Sequence, residues 1–331
     1  MGITRYLLNH LARHGAVRSL ETYATHLRDF HTQMLIDGKT VDEVTDAYLS
    51  VYHEAIKSRA SRPYASQVVR TVIAFLSYLE EKGSIAGVIG ETRGYAVRVS
   101  RTRDGSISHP LARGGKAPKS NHFPSGRAID AVKCATSHAP ALGERFSIMI
   151  DWGDVRGLRA MEICALRICQ LPDRDSVEKA LEDDRVLEVR LSQTKGGKPR
   201  LVEVHPLLLA RTWKWIDTGR IDIQRAFRRR ARAQGIVVPK TDAIFLSEST
   251  GLALTPKAFS NAIRKAFKRA VAAGELTEAE RVWAHGLRKR MINREVRDDQ
   301  SNSDGRKERA LMHQTGHGSL AALGRYVADP V

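Results

Sequence analysis

Residue types that can hold and attack a phosphate recur through the second half of this chain. Arg159 and Arg288 could each bind phosphate oxygens in pairs, because the guanidinium group is planar, donates bidentately and keeps its charge. His285 lies three residues before Arg288, so the two side chains share a face if the segment is helical. Tyr326 offers a phenol oxygen as a nucleophile. Together these residues predict chemistry at a phosphate group.

Two further motifs extend this set. Lys195 is followed by two glycines, which favour a turn, and Gly316-His317 comes shortly before Tyr326. Each motif alone is weak evidence, because a single histidine, or a histidine and an arginine one turn apart, is most often structural or solvated. The order and spacing of the whole set make it specific.

The charge of the chain indicates its class of partner. The 331 residues carry 54 Lys and Arg against 37 Asp and Glu, a formal net charge of +17. Basic side chains that neutralise phosphates release counterions and so drive binding to nucleic acid. Nucleic-acid binding explains so large an excess of positive charge better than a basic surface that only aids solubility. No lipidation signal and no long apolar segment favour a membrane.

Several other classes are excluded by missing patterns. The three cysteines form neither a disulfide framework nor a paired metal motif, which fits a reducing cytoplasm. His313 and His317 have helical spacing, but the zinc-protease pattern needs Glu where Gln314 stands. No glycine-rich phosphate loop followed by Lys and Ser or Thr occurs, which disfavours an ATPase. Residues 1–14 are too polar for a signal peptide. We therefore expect no metal and no cofactor.

The first part of the chain, residues 1–97, predicts a helical bundle. Ser19 could cap a helix whose apolar residues recur at steps of four and three. A second helix is expected from near Thr45 and a third from near Pro63, with Gly83 ending the third. Aromatic residues at helical spacing in this region are interpreted as core.

Residues 98–126 predict a basic interdomain linker. Hydrophobic periodicity is lost there, and Gly, Ser and Pro surround six basic residues: Arg98, Arg101, Arg103, Arg113, Lys116 and Lys119. The segment could lie along a phosphate backbone, or it could be a solvated tether.

Residues 127–331 predict a second, mixed domain. Helical patterns cover 127–135, 143–150 and 159–168, and two basic helices are expected over 217–233 and 257–273. Residues 186–191 and 200–204 alternate as strands of a hairpin whose turn holds Lys195. The expected fold class is therefore mainly α with a small β-hairpin, an α+β arrangement.

The motifs of the second domain resemble those of the tyrosine recombinase (phage integrase) family. The matching positions are the segment from Gly157 to Glu162, Lys195 in the hairpin, His285 with Arg288, Gly316-His317, and Tyr326. The resemblance covers the second domain throughout and extends loosely to the first. It implies an N-terminal helical core-binding domain followed by a catalytic domain.

The resemblance also implies a role for each site residue. Arg159 and Arg288 would clamp the scissile phosphate, and Tyr326 would attack it to form a 3′-phosphotyrosyl bond. Lys195 would protonate the leaving 5′-oxygen, with Lys198 as its competitor for this role. His285 would assist proton transfer, and His317 would donate a hydrogen bond to the phosphate. The bond energy would be retained, so that neither metal nor ATP is needed.

The implied function is site-specific DNA recombination by strand breakage and rejoining, with integration, excision, resolution and inversion all open. Such an enzyme would be encoded by a mobile genetic element and would act in the cytoplasm on the nucleoid. Double-stranded DNA would be its partner, with a tetramer forming on the DNA and accessory DNA-bending proteins as further partners. Two alternatives stay open: a DNA-binding regulator that cleaves nothing, and an enzyme similar to type IB topoisomerases.

Two departures from the family pattern bear on assembly. A polar insertion over 298–305 predicts an exposed loop between Arg288 and His317. Only five residues follow Tyr326, too few for a helix that could dock on a neighbouring subunit. We therefore expect a monomer in free solution that oligomerises on DNA, through the first domain and the surface around the loop at 301–305.

Overall fold

The chain forms two compact units, Met1–Lys119 and Ser120–Val331. The computed structural model describes residues 2–14, 17–102, 105–113, 122–136, 139–194, 198–238 and 240–299, together with Leu311, Met312 and Thr315. Lys195, His317, Tyr326 and the loop at 301–305 lie outside these residues.

The first unit is a helical bundle of α1 (Gly2–His14), α2 (Val17–Ile36), α3 (Asp46–Lys57) and α4 (Arg62–Glu81). The hydroxyl of Thr45 accepts from the amide of Tyr48 at 3.2 Å and so caps α3, as the sequence predicts. Gly83 follows α4 with a φ of 65°, which a left-handed cap residue needs.

One expectation for this unit is wrong, and one helix was not predicted. Ser19 is not the cap of α2, because the helix already begins at Val17. The helix α1 was not predicted, since its sequence is short and polar. Its formation follows from packing, because Tyr6 is buried against the aromatic rings of Phe75 and Tyr78 in α4.

Much of the segment predicted as a linker, 98–126, is built into the first unit. The short strands β1 (Ile89–Gly90), β2 (Val97–Arg98), β3 (Ser100–Arg101) and β4 (Ile107–Ser108) pair as β1–β2 and β3–β4. Val99 and Ala112 are buried in the first core. His109 contacts Asp46 of α3 at 2.8 Å, and Arg70 of α4 donates to the carbonyl of Ala112 at 2.7 Å. These contacts are tertiary, so local composition did not reveal them.

The second unit is mainly helical and carries one hairpin. Its helices are α5 (Gly126–Cys134), α6 (Pro140–Arg156), α7 (Ala160–Cys164), α8 (Arg174–Glu182), α9 (Pro206–Asp217), α10 (Gly219–Ala233), α11 (Pro256–Ala272) and α12 (Ala284–Asp299). The antiparallel hairpin joins β5 (Leu187–Leu191) to β6 (Arg200–Val204), with Leu187 opposite Val204 and Leu191 opposite Arg200.

The core of the second unit is built around α6. Trp152 of α6 is fully buried, and its indole N–H donates to the hydroxyl of Thr212 in α9 at 3.2 Å. Asp151 accepts from Lys133 of α5 and from Arg211 of α9, both at 2.5 Å. Helix α6 is therefore tied to its neighbours by both apolar and ionic contacts.

The mainly α class with a small hairpin is confirmed. The helix expected over 159–168 is only five residues long, and α8 and α9 were not predicted. The loop expected over 298–305 is helical as far as Asp299, because α12 continues to that residue. In the described parts of the chain, no helix is both long and apolar enough to span a membrane.

Candidate active site

Arg159 stands at the turn that joins α6 to α7. Helix α6 ends at Gly157, which takes a left-handed φ of 63°. Leu158 is fully buried and directs the chain back to the core. Arg159 then has extended backbone angles and is the N-cap residue of α7, with its side chain 19% exposed. The turn thus presents one arginine at the surface on a fixed backbone.

Glu162 holds this turn in place. Its carboxylate is buried and accepts from the backbone N–H of Arg159 at 2.8 Å and from the Arg159 guanidinium at 2.9 Å. A carboxylate at the third position of a helix caps the start of that helix and complements its dipole. Glu162 therefore orients both the backbone and the side chain of Arg159.

A second arginine, Arg200, completes the charge balance around Glu162. Its guanidinium is 8% exposed and donates to the other Glu162 oxygen at 2.7 Å. Burial lowers the pKa of Arg200, and the Glu162 carboxylate opposes that shift. Two arginines thus face one buried carboxylate, and the cluster keeps a net positive charge.

Arg288 lies at the back of the same turn and is fully buried. Its guanidinium donates from Nη1 to the carbonyl of Gly157 at 2.6 Å and from Nη2 to the carbonyl of Thr315. Gly157 precedes Arg159 by two residues, so Arg288 contacts the turn that carries Arg159. The Thr315 contact attaches a third part of the chain to the same place.

The position of Arg288 is set by the packing of α12 on α6. Gly153 lacks a side chain where Leu287 packs, since an added Cβ would lie 3.0 Å from a Leu287 methyl. Arg290 forms a largely buried ion pair with Asp154 at 2.5 Å. These two contacts flank Arg288 in sequence and hold its helix against α6.

His285 and Lys289 lie in the first half of α12. His285 is exposed, one turn before Arg288, in agreement with the predicted helical spacing. Lys289 donates to the carbonyl of His122 at 3.2 Å, and burial lowers its pKa. His122 itself stacks on Trp283, with ring centroids 5.6 Å apart. The entry to α12 therefore rests on an ordered aromatic pair.

The two ends of the hairpin turn are described although Lys195 is not. Thr194 is buried and its hydroxyl donates to the carbonyl of Lys198. Lys198 is exposed. Arg200, at the turn end of β6, reaches Glu162 and so brings this end of the hairpin to the Arg159 turn.

Three of the six predicted site residues lie in the described part of the chain: Arg159, His285 and Arg288. Arg288 of α12 donates to the carbonyl of Gly157 in the turn that carries Arg159, and His285 stands one helical turn from Arg288. Lys195, His317 and Tyr326 lie outside the described residues. Among the residues that the structure describes, no group of three His, Cys, Asp or Glu side chains could hold a metal ion.

Arg200 was missed as a site residue. In β6 it shares the inward face with Val202 and Val204, which are both buried. A charged residue on the inward face of a strand needs a buried partner, because an unpaired buried charge is costly. The alternation of β6 could have revealed this arginine, because Arg200 falls on the same face as Val202 and Val204.

Solved structures with similar folds were found. A lambda integrase tetramer bound to a Holliday junction has a TM-score of 0.64 and 13% identity, covering 99% of this chain and 76% of that one. The Tn1549 transposon integrase in complex with circular intermediate DNA has a TM-score of 0.59 and 14% identity, covering 99% and 96%. The XerH site-specific recombinase bound to palindromic difH substrate has a TM-score of 0.58 and 15% identity, covering 96% and 78%.

Comparison of the sequence alone does not detect this similarity. No protein-family model matches the chain, and no curated protein matches it. At such low identities the comparison shows a shared fold, and it extends over nearly the whole chain.

Proposed function

We propose that this chain, which has the fold of the tyrosine recombinases, is a site-specific DNA recombinase that cuts and rejoins strands through a phosphotyrosyl intermediate. The observation that carries the proposal is the turn at Gly157–Arg159, where Arg288 binds the carbonyl that precedes Arg159. Two arginines that the sequence separates by more than a hundred residues are thereby brought to one place.

The electrostatics of this turn suit a phosphate. Glu162 is the carboxylate that contacts Arg159, and Arg200 shares its charge. Arg159 is thus oriented without being fully neutralised, and its partly exposed guanidinium can donate to phosphate oxygens. Fixed donors in a partly buried site stabilise the charge that develops in phosphoryl transfer, which is the main service a protein offers that reaction.

A basic helical surface supports binding of the DNA itself. Helix α11 buries Phe259, Ile263 and Phe267 on one side. Its opposite side is exposed and basic, with Arg264, Lys265, Lys268 and Arg269. Such a face can follow a phosphate backbone and make affinity strongly dependent on salt.

The remaining roles follow from the sequence resemblance. Tyr326 would be the nucleophile, Lys195 the general acid for the leaving 5′-oxygen, and His317 a donor to the phosphate. His317 comes two residues after Thr315, whose carbonyl Arg288 binds, and this favours its inclusion in the site. His285 would assist proton transfer from the exposed side of α12.

The proposed setting is double-stranded DNA, on which four copies assemble with accessory DNA-bending proteins. The protein would be a monomer in free solution before it binds DNA. It would belong to a mobile genetic element and act at the nucleoid in the cytoplasm. Integration, excision, resolution and inversion all use the same chemistry, so the site does not choose among them.

One observation favours a second candidate, a DNA-binding regulator that cleaves nothing. Arg288 is fully buried and both of its Nη donors bind backbone carbonyls. An arginine whose Nη donors both bind backbone carbonyls would stabilise the fold without contacting a phosphate.

A nicked suicide substrate separates the two candidates. Incubated with a library of nicked duplexes, the wild-type protein is expected to form a denaturation-resistant adduct with some of them. The Tyr326→Phe variant should bind the same duplexes and form no adduct, in the presence or absence of EDTA. An adduct that persists in Tyr326→Phe would refute the assigned nucleophile, and DNA binding with no wild-type adduct would favour the regulator.

A further inference from the structure

The carboxylate of Glu162 joins the turn after α6 to the hairpin. Its Oε1 accepts from the Arg159 guanidinium at 2.9 Å, and its Oε2 accepts from the Arg159 backbone N–H at 2.8 Å. The same Oε2 also accepts from Nη2 of Arg200 in β6, at 2.7 Å. One oxygen atom therefore holds the backbone of the Arg159 turn and the side chain of a hairpin strand together.

A second contact attaches the other strand of the hairpin. The side-chain amide of Gln170 donates to the carbonyl of Arg190 at 2.7 Å and to the hydroxyl of Ser192 at 3.1 Å. The amide is itself oriented, because its oxygen accepts from the backbone N–H of Arg167 at 2.8 Å. Gln170 follows Glu162 after one short stretch of chain, so both strands are attached to the segment that begins at Arg159.

The part of the hairpin between these two contacts contains both candidates for the general acid. Lys195 and Lys198 lie between Ser192 and Arg200 in the sequence. The hydroxyl of Thr194 donates to the carbonyl of Lys198 and so joins the two sides of the turn. Whichever lysine donates a proton, the chain is anchored on both sides of it.

Stability alone does not explain the burial of Arg200. Its side chain is 8% exposed, and its Nε and Nη1 are buried with no acceptor among the residues that the structure describes. Unpartnered buried donors are costly, and replacing both partners of a buried ion pair with apolar residues is often neutral or stabilising. Val202 and Val204 on the same face are apolar. Arg200 therefore contributes a geometry that an apolar residue could not.

The proposed reaction needs two groups at a fixed separation. Arg159 would hold a non-bridging oxygen of the phosphate, while the general acid must reach the bridging 5′-oxygen of the same phosphate. A proton donor has to lie about 2.6–3.2 Å from its acceptor. A misplacement of about 1 Å can lower a rate about 100-fold. The contacts that set the distance between Arg159 and the hairpin thus control protonation of the leaving group.

We propose that Arg200 is a positioning residue for protonation of the leaving 5′-oxygen. Through Glu162, it holds the hairpin that carries the general acid at a fixed distance from Arg159. Gln170 supports the same geometry from the other strand. The inference rests on the proposed function, because it requires a leaving group that needs a proton.

One bond to phosphorus forms in this step while another breaks. The phenol oxygen of Tyr326 bonds to the phosphorus, and its proton passes to His285. The bond from phosphorus to the 5′-oxygen breaks, and the lysine ammonium supplies the proton that makes this oxygen a hydroxyl. Arg200 neither gives nor takes a proton.

A sulfur atom in place of the leaving 5′-oxygen removes the need for that proton. An alkoxide is about as basic as hydroxide, since water has a pKa of about 15.7, whereas a thiol has a pKa of about 8.5. A thiolate can therefore leave unprotonated. A variant that only misplaces the general acid should lose rate on the oxygen substrate and recover it on the sulfur substrate.

The test compares the two substrates on the full chain. A nicked duplex that the wild-type protein cleaves is prepared with oxygen or sulfur at the leaving position, and the rate of adduct formation is measured. Arg200→Met should be slower than wild type by about 100-fold on oxygen and by less than about 10-fold on sulfur. Gln170→Ala leaves the buried ion pair intact. It should lose about 10-fold on oxygen and recover on sulfur in the same way.

Arg190→Met is the matched control. It removes the same type of side chain from the exposed face of the same hairpin, where Arg190 lies opposite Leu201. Its rates should equal those of wild type on both substrates. Arg159→Lys should be slow on both, because its phosphate contact does not depend on the leaving atom. Circular dichroism confirms that each variant is folded under the assay conditions.

Two lysine variants calibrate the recovery. Lys195→Ala or Lys198→Ala should be restored by sulfur, according to which lysine is the general acid. If sulfur restores one of them but restores neither Arg200→Met nor Gln170→Ala, the proposed function stands and this inference fails.

Two other results overturn the inference. Wild-type rates for Arg200→Met on oxygen would show that the hairpin needs no such anchor. Equal losses on oxygen and sulfur for Arg200→Met and Gln170→Ala would leave Arg200 with a structural role only. If the wild-type protein forms no adduct with any duplex, the proposed function itself fails, and this inference falls with it.

Discussion

Arg288 and Gly157 are joined by a hydrogen bond of 2.6 Å, from the guanidinium of one to the carbonyl of the other. The bond fixes the turn that presents Arg159, and it explains why a buried arginine can matter to a surface site. Arg288 thus contributes both to the stability of the fold and to the geometry of the site, and variants at Arg288, His285 and Gly157 separate these two contributions.

Arg288→Lys is expected to lower both the free energy of unfolding and the rate of adduct formation. An ammonium cannot reach the carbonyls of Gly157 and Thr315 together, and leaving a buried carbonyl without its donor costs about 1–3 kcal/mol. Covalent adduct formation should fall by about 100-fold or more. Urea denaturation and the suicide-substrate assay measure the two effects.

His285→Ala provides the contrast on the same helix. His285 is exposed, so the free energy of unfolding should change by less than about 0.5 kcal/mol. Adduct formation should nevertheless slow, because the side chain would assist proton transfer. An unchanged rate would remove His285 from the site.

Gly157→Ala is expected to strain the turn. A left-handed residue other than glycine costs about 1–2 kcal/mol, and φ at Gly157 is 63°. The added Cβ would also lie 2.1 Å from the terminal methyl of Met291, a flexible group that can move. Cleavage should fall more than the loss of stability alone explains.

Gly235→Ala is the matched control for that change. Gly235 has a φ of 65° and open space around it, at the end of α10. The two variants should lose similar stability in urea, and Gly235→Ala should keep its activity. Equal activity in both would show that the Gly157 carbonyl does not position the site.

Arg200→Met is expected to destabilise the fold, because the buried carboxylate of Glu162 would lose one of its two arginine partners. Removing one partner of a buried ion pair costs about 3 kcal/mol, although Arg159 remains as a second partner. Leu201→Gln, on the exposed face of the same strand, should be nearly neutral. A double-mutant cycle of Arg200→Met with Glu162→Gln should give a coupling energy above about 1 kcal/mol. Strict additivity would contradict the role of Arg200.

Cys164 should be inert to thiol reagents in the folded protein. Burial raises its pKa to about 12, and the thiolate is the reactive form. Cys134 and Cys169 are exposed, so iodoacetamide at pH 8 should label two thiols in the native state and three in urea.

The same pKa predicts an alkaline loss of stability. Because the folded pKa is raised, the contribution of Cys164 is complete below the unfolded value near 9 and is lost as pH rises towards 12. The difference in unfolding free energy between wild type and Cys164→Ala should be constant up to about pH 8 and should shift against the wild type above pH 9. A constant difference up to pH 10 would contradict the raised pKa.

The sequence predicted those features that short-range chemistry determines. Thr45 caps α3 through its side chain, at the helix start that the sequence predicts. The hairpin was predictable from alternation and a glycine turn. Helix α1 and the burial of Val99 and Ala112 were not, because they depend on contacts with distant helices.

The candidate site shows the same division. The motifs predicted Arg159, His285 and Arg288 as site residues from their types and spacing, and the structure connects Arg288 to the turn that carries Arg159. The contact of Arg200 with Glu162 depends on the register of β6 and on the turn after α6, and sequence spacing predicts neither of them. Secondary contacts of this kind appear only once the fold is known.

The burial of Arg288 also bears on how this protein could diverge. Its guanidinium joins the carbonyls of Gly157 and Thr315, so selection for folding alone would preserve it. If the proposed cleavage activity were lost, a descendant would keep Arg288 for as long as it kept its fold. Burial constrains the exposed His285 less than Arg288, so substitutions would accumulate at His285 earlier. On the proposed function, loss of strand cleavage would therefore appear first as substitutions on the exposed face of α12, with the buried Arg288 still present.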